Sequence, residues 1–206
     1  MMMPPDFRLL ETMRVSDGGV FLLARHLERL DASARHFDFA CDIDIIREVV
    51  RGAAIRQTEP RMARLLLSRS GEHELQFRAL PLENPTALRV SSVIVSSSDT
   101  MLYHKTTARN VYERAREGTP NGTDAILHNE RGEITETTIA NVAVKRGDVW
   151  ITPAASCGLL PGTMRAQLLD DGGIEEGIVR LVDLAPGELI RSFNAVRGIW
   201  DAQLVL

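Results

Sequence analysis

Only two lysines, Lys105 and Lys145, stand among the 24 lysines and arginines of this 206-residue chain. Arginine stays protonated under ordinary conditions and cannot condense with an aldehyde, so side-chain imine chemistry here runs through one of those two amines. Lys105 sits in Met101-Leu102-Tyr103-His104-Lys105-Thr106-Thr107, at the passage from a strand end to a helix. A lysine there projects from rigid backbone, as a Schiff-base lysine must. Lys145 falls in the turn Lys145-Arg146-Gly147-Asp148, the setting of a solvated surface charge. Glu136, in Gly132-Glu133-Ile134-Thr135-Glu136-Thr137-Thr138, opens a strand. A carboxylate so placed can keep a pyridine nitrogen protonated and the ring an effective electron sink. Glu133, read as sharing that strand face, is the alternative. Gly158-Leu159-Leu160-Pro161-Gly162-Thr163-Met164-Arg165 is a Gly/Pro loop feeding a helix, whose amides and dipole suit an anion. Arg29, four residues from Arg25 on the first helix, can reach the same anion.

Other chemistries are excluded or unsupported. There is no G-x-G-x-x-G, Walker loop, H-E-x-x-H or G-x-S-x-G, and the five histidines have no metal-ligand spacing. Cys41 and Cys157 are too few for a disulfide scaffold or a four-thiolate zinc site, and fit a reducing cytoplasm. No apolar run approaches the roughly 20 residues of a membrane helix. The start, Met1-Met2-Met3-Pro4-Pro5-Asp6, lacks the basic and apolar regions of a leader. A net charge of -4 argues against a nucleic-acid-coating surface. The expectation is a cytoplasmic protein with no metal, no nucleic acid and no membrane.

The positioning elements follow from periodicity and turn chemistry. Residues 7–15 read as a strand, Ser16-Asp17-Gly18-Gly19 as a turn, and 20–23 as a second strand. Leu23, Leu27, Leu30, Ala34 and Phe37 form one apolar helical face. Asp42 or Asp44 caps a second helix through about Arg56. Strands are predicted at 62–67, 75–80 and 88–95, then a boundary at Ser96-Ser97-Ser98-Asp99. Beyond it come a helix over 106–117, strands at 125–127, 139–144 and 149–151, a helix over 163–170, and last strands at 189–194 and 198–202. Helices and strands segregate into two α+β halves, 1–97 and 98–206, the second carrying Lys105.

Taken in order, these segments resemble the class IV, fold-type IV pyridoxal-phosphate enzymes, which include branched-chain and D-amino-acid aminotransferases and 4-amino-4-deoxychorismate lyases. The resemblance runs through His26-Leu27-Glu28-Arg29-Leu30, Lys105, Glu136-Thr137-Thr138-Ile139-Ala140-Asn141, the 158–165 loop and Asn194-Ala195-Val196-Arg197-Gly198. It implies an α+β, two-subdomain fold like that of D-amino-acid aminotransferase. It also implies that Lys105 forms the Schiff base with pyridoxal 5'-phosphate, that Arg29 binds its phosphate and that Glu136 faces its pyridine nitrogen. Thr163 and Met164 match the loop residues whose amides bind phosphate, and Asn194 falls near another phosphate contact. Many members have threonine where Met164 stands. Many carry a tyrosine five residues after the lysine, against the cofactor's ring oxygen. That position is Asn110 here, with Arg109 before it and Tyr112 after, so the ring-oxygen contact stays open.

Leu9-Leu10-Glu11-Thr12-Met13-Arg14-Val15 and His104-Lys105-Thr106-Thr107-Ala108-Arg109 look most like the lyase module found fused behind a chorismate-aminating component. By that resemblance the chain is shortened at its N-terminus, without the strand region that helps wall the site. The leading expectation is a lyase releasing 4-aminobenzoate and pyruvate in the folate pathway, with Lys105 as general base and Arg109, Arg14 or Arg197 for substrate carboxylates. The alternatives are an aminotransferase acting on branched-chain or D-amino acids, and a shortened, non-catalytic paralogue that binds a partner. A homodimer and an aminating partner component are implied in the same way.

Overall fold

The computed structural model describes residues 6–205; Met1–Pro5, part of the start read above for a leader, lies outside them. Two compact units emerge. The first comprises the chain up to Pro81 with His104–Ala108 and Ala195–Arg197, the second Leu82–Tyr103, Arg109–Asn194 and the chain from Gly198.

In the first unit, β1 (Leu9–Ser16) turns into β2 (Gly19–Val20), followed by α1 (Leu23–Phe37), α2 (Ile43–Ala54), β3 (Arg61–Leu67) and β4 (His73–Ala79). Asp17 and Gly18 both adopt positive φ, the demand of the tight hairpin turn that joins β1 to β2. The antiparallel sheet runs β2-β1-β3-β4. Along β1, Leu9, Glu11, Met13 and Val15 alternate inward, and α1 lies against that strand. The α1 face buries Leu27, Leu30, Ala34 and Phe37 as its spacing requires, together with His26 and Ser33. Of the two candidate caps for α2, Asp42 does the work, accepting from the amides of Asp44 and Ile45 at 3.2 and 3.0 Å.

One buried polar cluster interrupts this core. Glu11 accepts from His26 Nδ1 at 2.6 Å and from Arg29 Nε and Nη2 at 2.8 and 2.7 Å. Burial alone would raise the Glu11 carboxyl, but the Arg29 guanidinium and His26 outweigh it and hold the group at about 2. Burial pushes His26 below its usual value, so it is the neutral ring that donates to Glu11.

The second unit contains β5 (Ala87–Val95), α3 (Asn110–Arg116), β6 (Thr123–Asn129), β7 (Ile134–Thr137), β8 (Asn141–Arg146), β9 (Val149–Pro153), α4 (Thr163–Asp170), β10 (Glu175–Gly177), β11 (Leu189–Asn194) and β12 (Gly198–Val205). Its eight-stranded mixed sheet runs β10-β9-β8-β11-β12-β5-β6-β7. The pairs β10/β9, β12/β5 and β5/β6 are parallel. Leu88, Ile126, Ile134, Val142, Val144, Ile190, Ala202 and Leu204 form its main core. On other faces, α3 packs against β5 and β6, and α4 against β11 around Phe193.

Three sequence expectations change. Strand β5 and the Ser96–Asp99 turn belong with the second unit, because β5 is hydrogen-bonded between β12 and β6. The Lys105 segment belongs with the first unit, because residues 105–107 pair with β1 and the residue before it. For the same reason the helix read over 106–117 starts only at Asn110: Thr106 is bridged to Leu9, and a residue paired in a ladder cannot also turn into a helix. The strand read as opening at Glu136 is β7, which starts two residues earlier, at Ile134, and β10, short and rich in Glu and Gly, was not foreseen. Among the described residues no helix is long and apolar enough to cross a membrane.

Ile126 is fully buried in the β-sheet core. Ile126→Ala is expected to cost about 2–5 kcal/mol in urea unfolding, and Ile126→Val about 0.5–1.5 kcal/mol. The polar cluster gives a pH signature of definite sign. Below the ordinary His value the unfolded chain gains a proton that folded His26 refuses, and below 4.5 the same holds for Glu11. Stability is therefore lost as pH falls, the Glu11 share between about 4.5 and about 2. Urea midpoints for wild type and Glu11→Gln across this range should converge towards acid; a constant gap would show that Glu11 contributes nothing through ionisation.

Candidate active site

In the first unit, Lys105 is fixed through its backbone. Its carbonyl accepts from Leu10 N at 2.9 Å, and Thr107 N donates to Arg8 O at 2.9 Å. The Thr107 hydroxyl in turn accepts from Arg8 N at 2.9 Å. On the preceding residue, His104 Nδ1 accepts from the Ser33 hydroxyl at 2.9 Å, and its ring stacks on His36 at 4.4 Å between centroids. Burial, with the neighbouring His36 charge, holds His104 at about 4, which keeps it a neutral acceptor. The half-buried Lys105 thus emerges from a segment clamped on both sides. The Lys105 charge adds a small disfavour to protonation of His26, after burial and the Arg29 charge.

The predicted substrate arginines are dispersed. Arg14 stands on the exposed face of β1, opposite in the pleat to Glu11. Arg197 is half-buried in the short segment that joins the first unit. Arg109, in the second unit, lies over the Tyr112 ring at 4.5 Å and donates from Nη2 to Thr138 O at 2.5 Å.

In the second unit, Glu136 is buried on β7. Its Oε1 accepts from the Tyr112 hydroxyl at 2.7 Å and from Leu160 N at 3.1 Å, and its Oε2 from Asn141 Nδ2 at 3.2 Å. All three donors are neutral. Burial and the adjacent Glu136 charge drive the Tyr112 phenol well above its usual value, so it stays a proton donor to the carboxylate. Glu133 takes a different path. Arg131 and Asn129 hold its carboxyl at about 2, tying down the turn before β7. The two glutamates lie three residues apart, an odd step that sends them to opposite sides of an extended chain.

Asn141 also donates to Leu160 O at 2.9 Å, joining Glu136 to the loop before α4. A Cβ on Gly162 would overlap the Asn141 side-chain oxygen, so that position accepts only glycine. Thr163 then opens α4 and is buried, and Ala166 N closes the first turn on Gly162 O at 2.9 Å. The first turn of a helix presents amides without intrahelical acceptors, and the dipole favours an anion there. The Met164 side chain packs into the core around Phe193, so its available contribution is its amide. Asn194 donates to Ile139 O at 3.1 Å at the end of β11. Lys145 is exposed at the end of β8, as its turn implied.

Residues that sequence reasoning did not assign are Glu11, His26, Asn141 and Tyr112. Glu11, His26 and Asn141 stood within the motifs of the resemblance without a role, and Tyr112 was marked by its nearness to the lysine. Each unit, taken by itself, carries donor types that suit a phosphate-bearing pyridine aldehyde. The first unit offers an anchored amine and an oriented guanidinium. The second offers a buried carboxylate and a glycine-cradled helix N-terminus.

Comparison with known proteins gives the same reading. A Schizosaccharomyces pombe protein named "Putative aminodeoxychorismate lyase" is 32% identical, over 92% of this chain and 87% of its own. The structure of a "Putative amino-acid aminotransferase" from Mesorhizobium loti superposes with a TM-score of 0.89 at 39% identity, over 97% of this chain and all of that one. The 4-amino-4-deoxychorismate lyase of Pseudomonas aeruginosa shares the fold, with a TM-score of 0.84 at 19% identity over 96% of this chain and 83% of its own. Residues 8–205 match the family described as amino-transferase class IV, and the chain belongs to that family.

Proposed function

We propose that this chain is a pyridoxal-phosphate-dependent 4-amino-4-deoxychorismate lyase, releasing 4-aminobenzoate and pyruvate. The observation that carries the lyase reading is the 32% identity to the S. pombe protein across 92% of this chain. The donor set supports the cofactor. When bound, pyridoxal phosphate supplies an electron sink for the charge left when a proton is removed from the carbon bearing the amine.

The chain's residues do the rest. Lys105 would hold the cofactor through its Nζ, and the same amine, when free, would be the base that takes the proton from the amine-bearing ring carbon of the substrate. A proton returned to the departing enolpyruvyl group lets it leave as pyruvate while the ring becomes aromatic. Glu136 keeps the pyridine nitrogen protonated, and Tyr112 and Asn141 keep Glu136 oriented. Arg29, the amides of Thr163 and Met164, and Asn194 bind the phosphate. Arg109, which donates to Thr138 O and lies over the Tyr112 ring, and Arg14 and Arg197 are the candidates for the substrate carboxylates. In this reading the protein is a cytoplasmic homodimer of the folate pathway, supplied by a chorismate-aminating component.

A second reading, amino-acid aminotransferase, is favoured by the 39% identity to the M. loti protein. Product assays separate the two. The lyase forms 4-aminobenzoate and pyruvate from aminodeoxychorismate; the transferase forms glutamate from 2-oxoglutarate and an amino donor. Lys105→Ala is expected to lose the visible band of lysine-linked cofactor and to lower turnover by roughly 10²–10⁴-fold. A band that survives in the variant would sink the assignment of Lys105, and a wild type without one would sink the cofactor reading.

A further inference from the structure

The Glu11–His26–Arg29 cluster is an odd investment for a small core. Burying charge is costly, and a well-packed apolar set of equal volume is often as stable. Glu11 nevertheless places both carboxylate oxygens on charged or ring N–H donors. Arg29 Nε reaches Oε1 at 2.8 Å and Nη2 reaches Oε2 at 2.7 Å, while His26 Nδ1 shares Oε2 at 2.6 Å. The three groups come from rigid elements: Glu11 from β1, and His26 and Arg29 three apart on α1, one turn along the same face.

Exposure is asymmetric across the pair. The Glu11 side chain is 2% exposed and that of Arg29 is 13% exposed. The carboxylate is thus closed off from solvent while the arginine side chain keeps some exposure. We propose that Glu11 is a positioning residue, which grips the Nε–Nη2 edge of Arg29 so that the guanidinium receives the cofactor phosphate in one fixed orientation. His26 is the third leg, fixing the carboxylate by a neutral ring N–H. An arginine held this way has little rotamer freedom left to lose when an anion arrives, so the ion pair acts on ligand affinity as well as on the fold. This inference rests on the cofactor reading above and adds to it the residue that orients the clamp.

The test separates phosphate recognition from the rest of the cofactor. Cofactor-free wild type, Glu11→Gln and Glu11→Asp are titrated with pyridoxal phosphate and with pyridoxal, which lacks the phosphate, following the visible band of lysine-linked ligand. Melting temperatures are recorded for each protein. Glu11→Gln is expected to weaken pyridoxal phosphate by roughly tenfold or more, the scale of one lost charge-assisted hydrogen bond, and to leave pyridoxal nearly unchanged. Glu11→Asp keeps the charge but withdraws it by one methylene, and should fall between the two. If Glu11→Gln does not fold, Glu11→Asp decides alone through the ratio of its two affinities. Equal weakening of both ligands, or of neither, overturns the positioning role. Wild type that binds neither overturns the cofactor reading and this inference with it.

Discussion

The site hangs on a short main-chain clasp. Leu10 N meets Lys105 O, Thr107 N meets Arg8 O, and Leu9 bridges Thr106. These bonds stop residues 105–107 from continuing into the helix that follows, and draw them into the first unit instead. Backbone groups away from water must be paired, so an edge contact of only a few bonds can fix a segment firmly. It is this clasp that holds the segment carrying the scarce amine against β1, the strand that carries Glu11, although the two lie far apart in sequence. Without it Lys105 would be one more residue at the start of a surface helix.

Two buried carboxylates illustrate how different surroundings prepare different tasks. Glu11 is held by a guanidinium and an imidazole, and sits far below the ordinary carboxylate range. Its charge is spent inside the protein, on the orientation of Arg29. Glu136 is held by a phenol, a carboxamide and a backbone amide, all neutral. Neutral donors orient a carboxylate without themselves cancelling its charge.

The loop before α4 obeys a steric constraint of the same local kind. Asn141 spans Glu136 and Leu160, and its side-chain oxygen occupies the space that a Cβ on Gly162 would need. The glycine therefore allows the carboxylate support and the helix N-terminus to share one asparagine. The buried Thr163 follows directly, so the side chain that opens the helix and the amides of its first turn are placed by the same packing.

Much of this was legible in the chain itself. The apolar stripe Leu27, Leu30, Ala34 and Phe37 specified α1, and the Gly162 entry specified α4 over Thr163–Asp170, because period and capping are local properties. Lys105, Glu136, Arg29 and the 158–165 loop were recognisable for their residue types and order, and the family followed from them. The tertiary structure alone decided the rest. It placed β5 with the second unit through parallel pairing on both sides, and residues 104–108 with the first. It gave Glu133 and Glu136 separate partners, and it brought Tyr112 and Asn141 to Glu136 and Glu11 to Arg29. The unit assignments and the Tyr112–Glu136 contact depend on hydrogen bonds between residues tens of positions apart, and no periodicity or propensity within one segment carries that information.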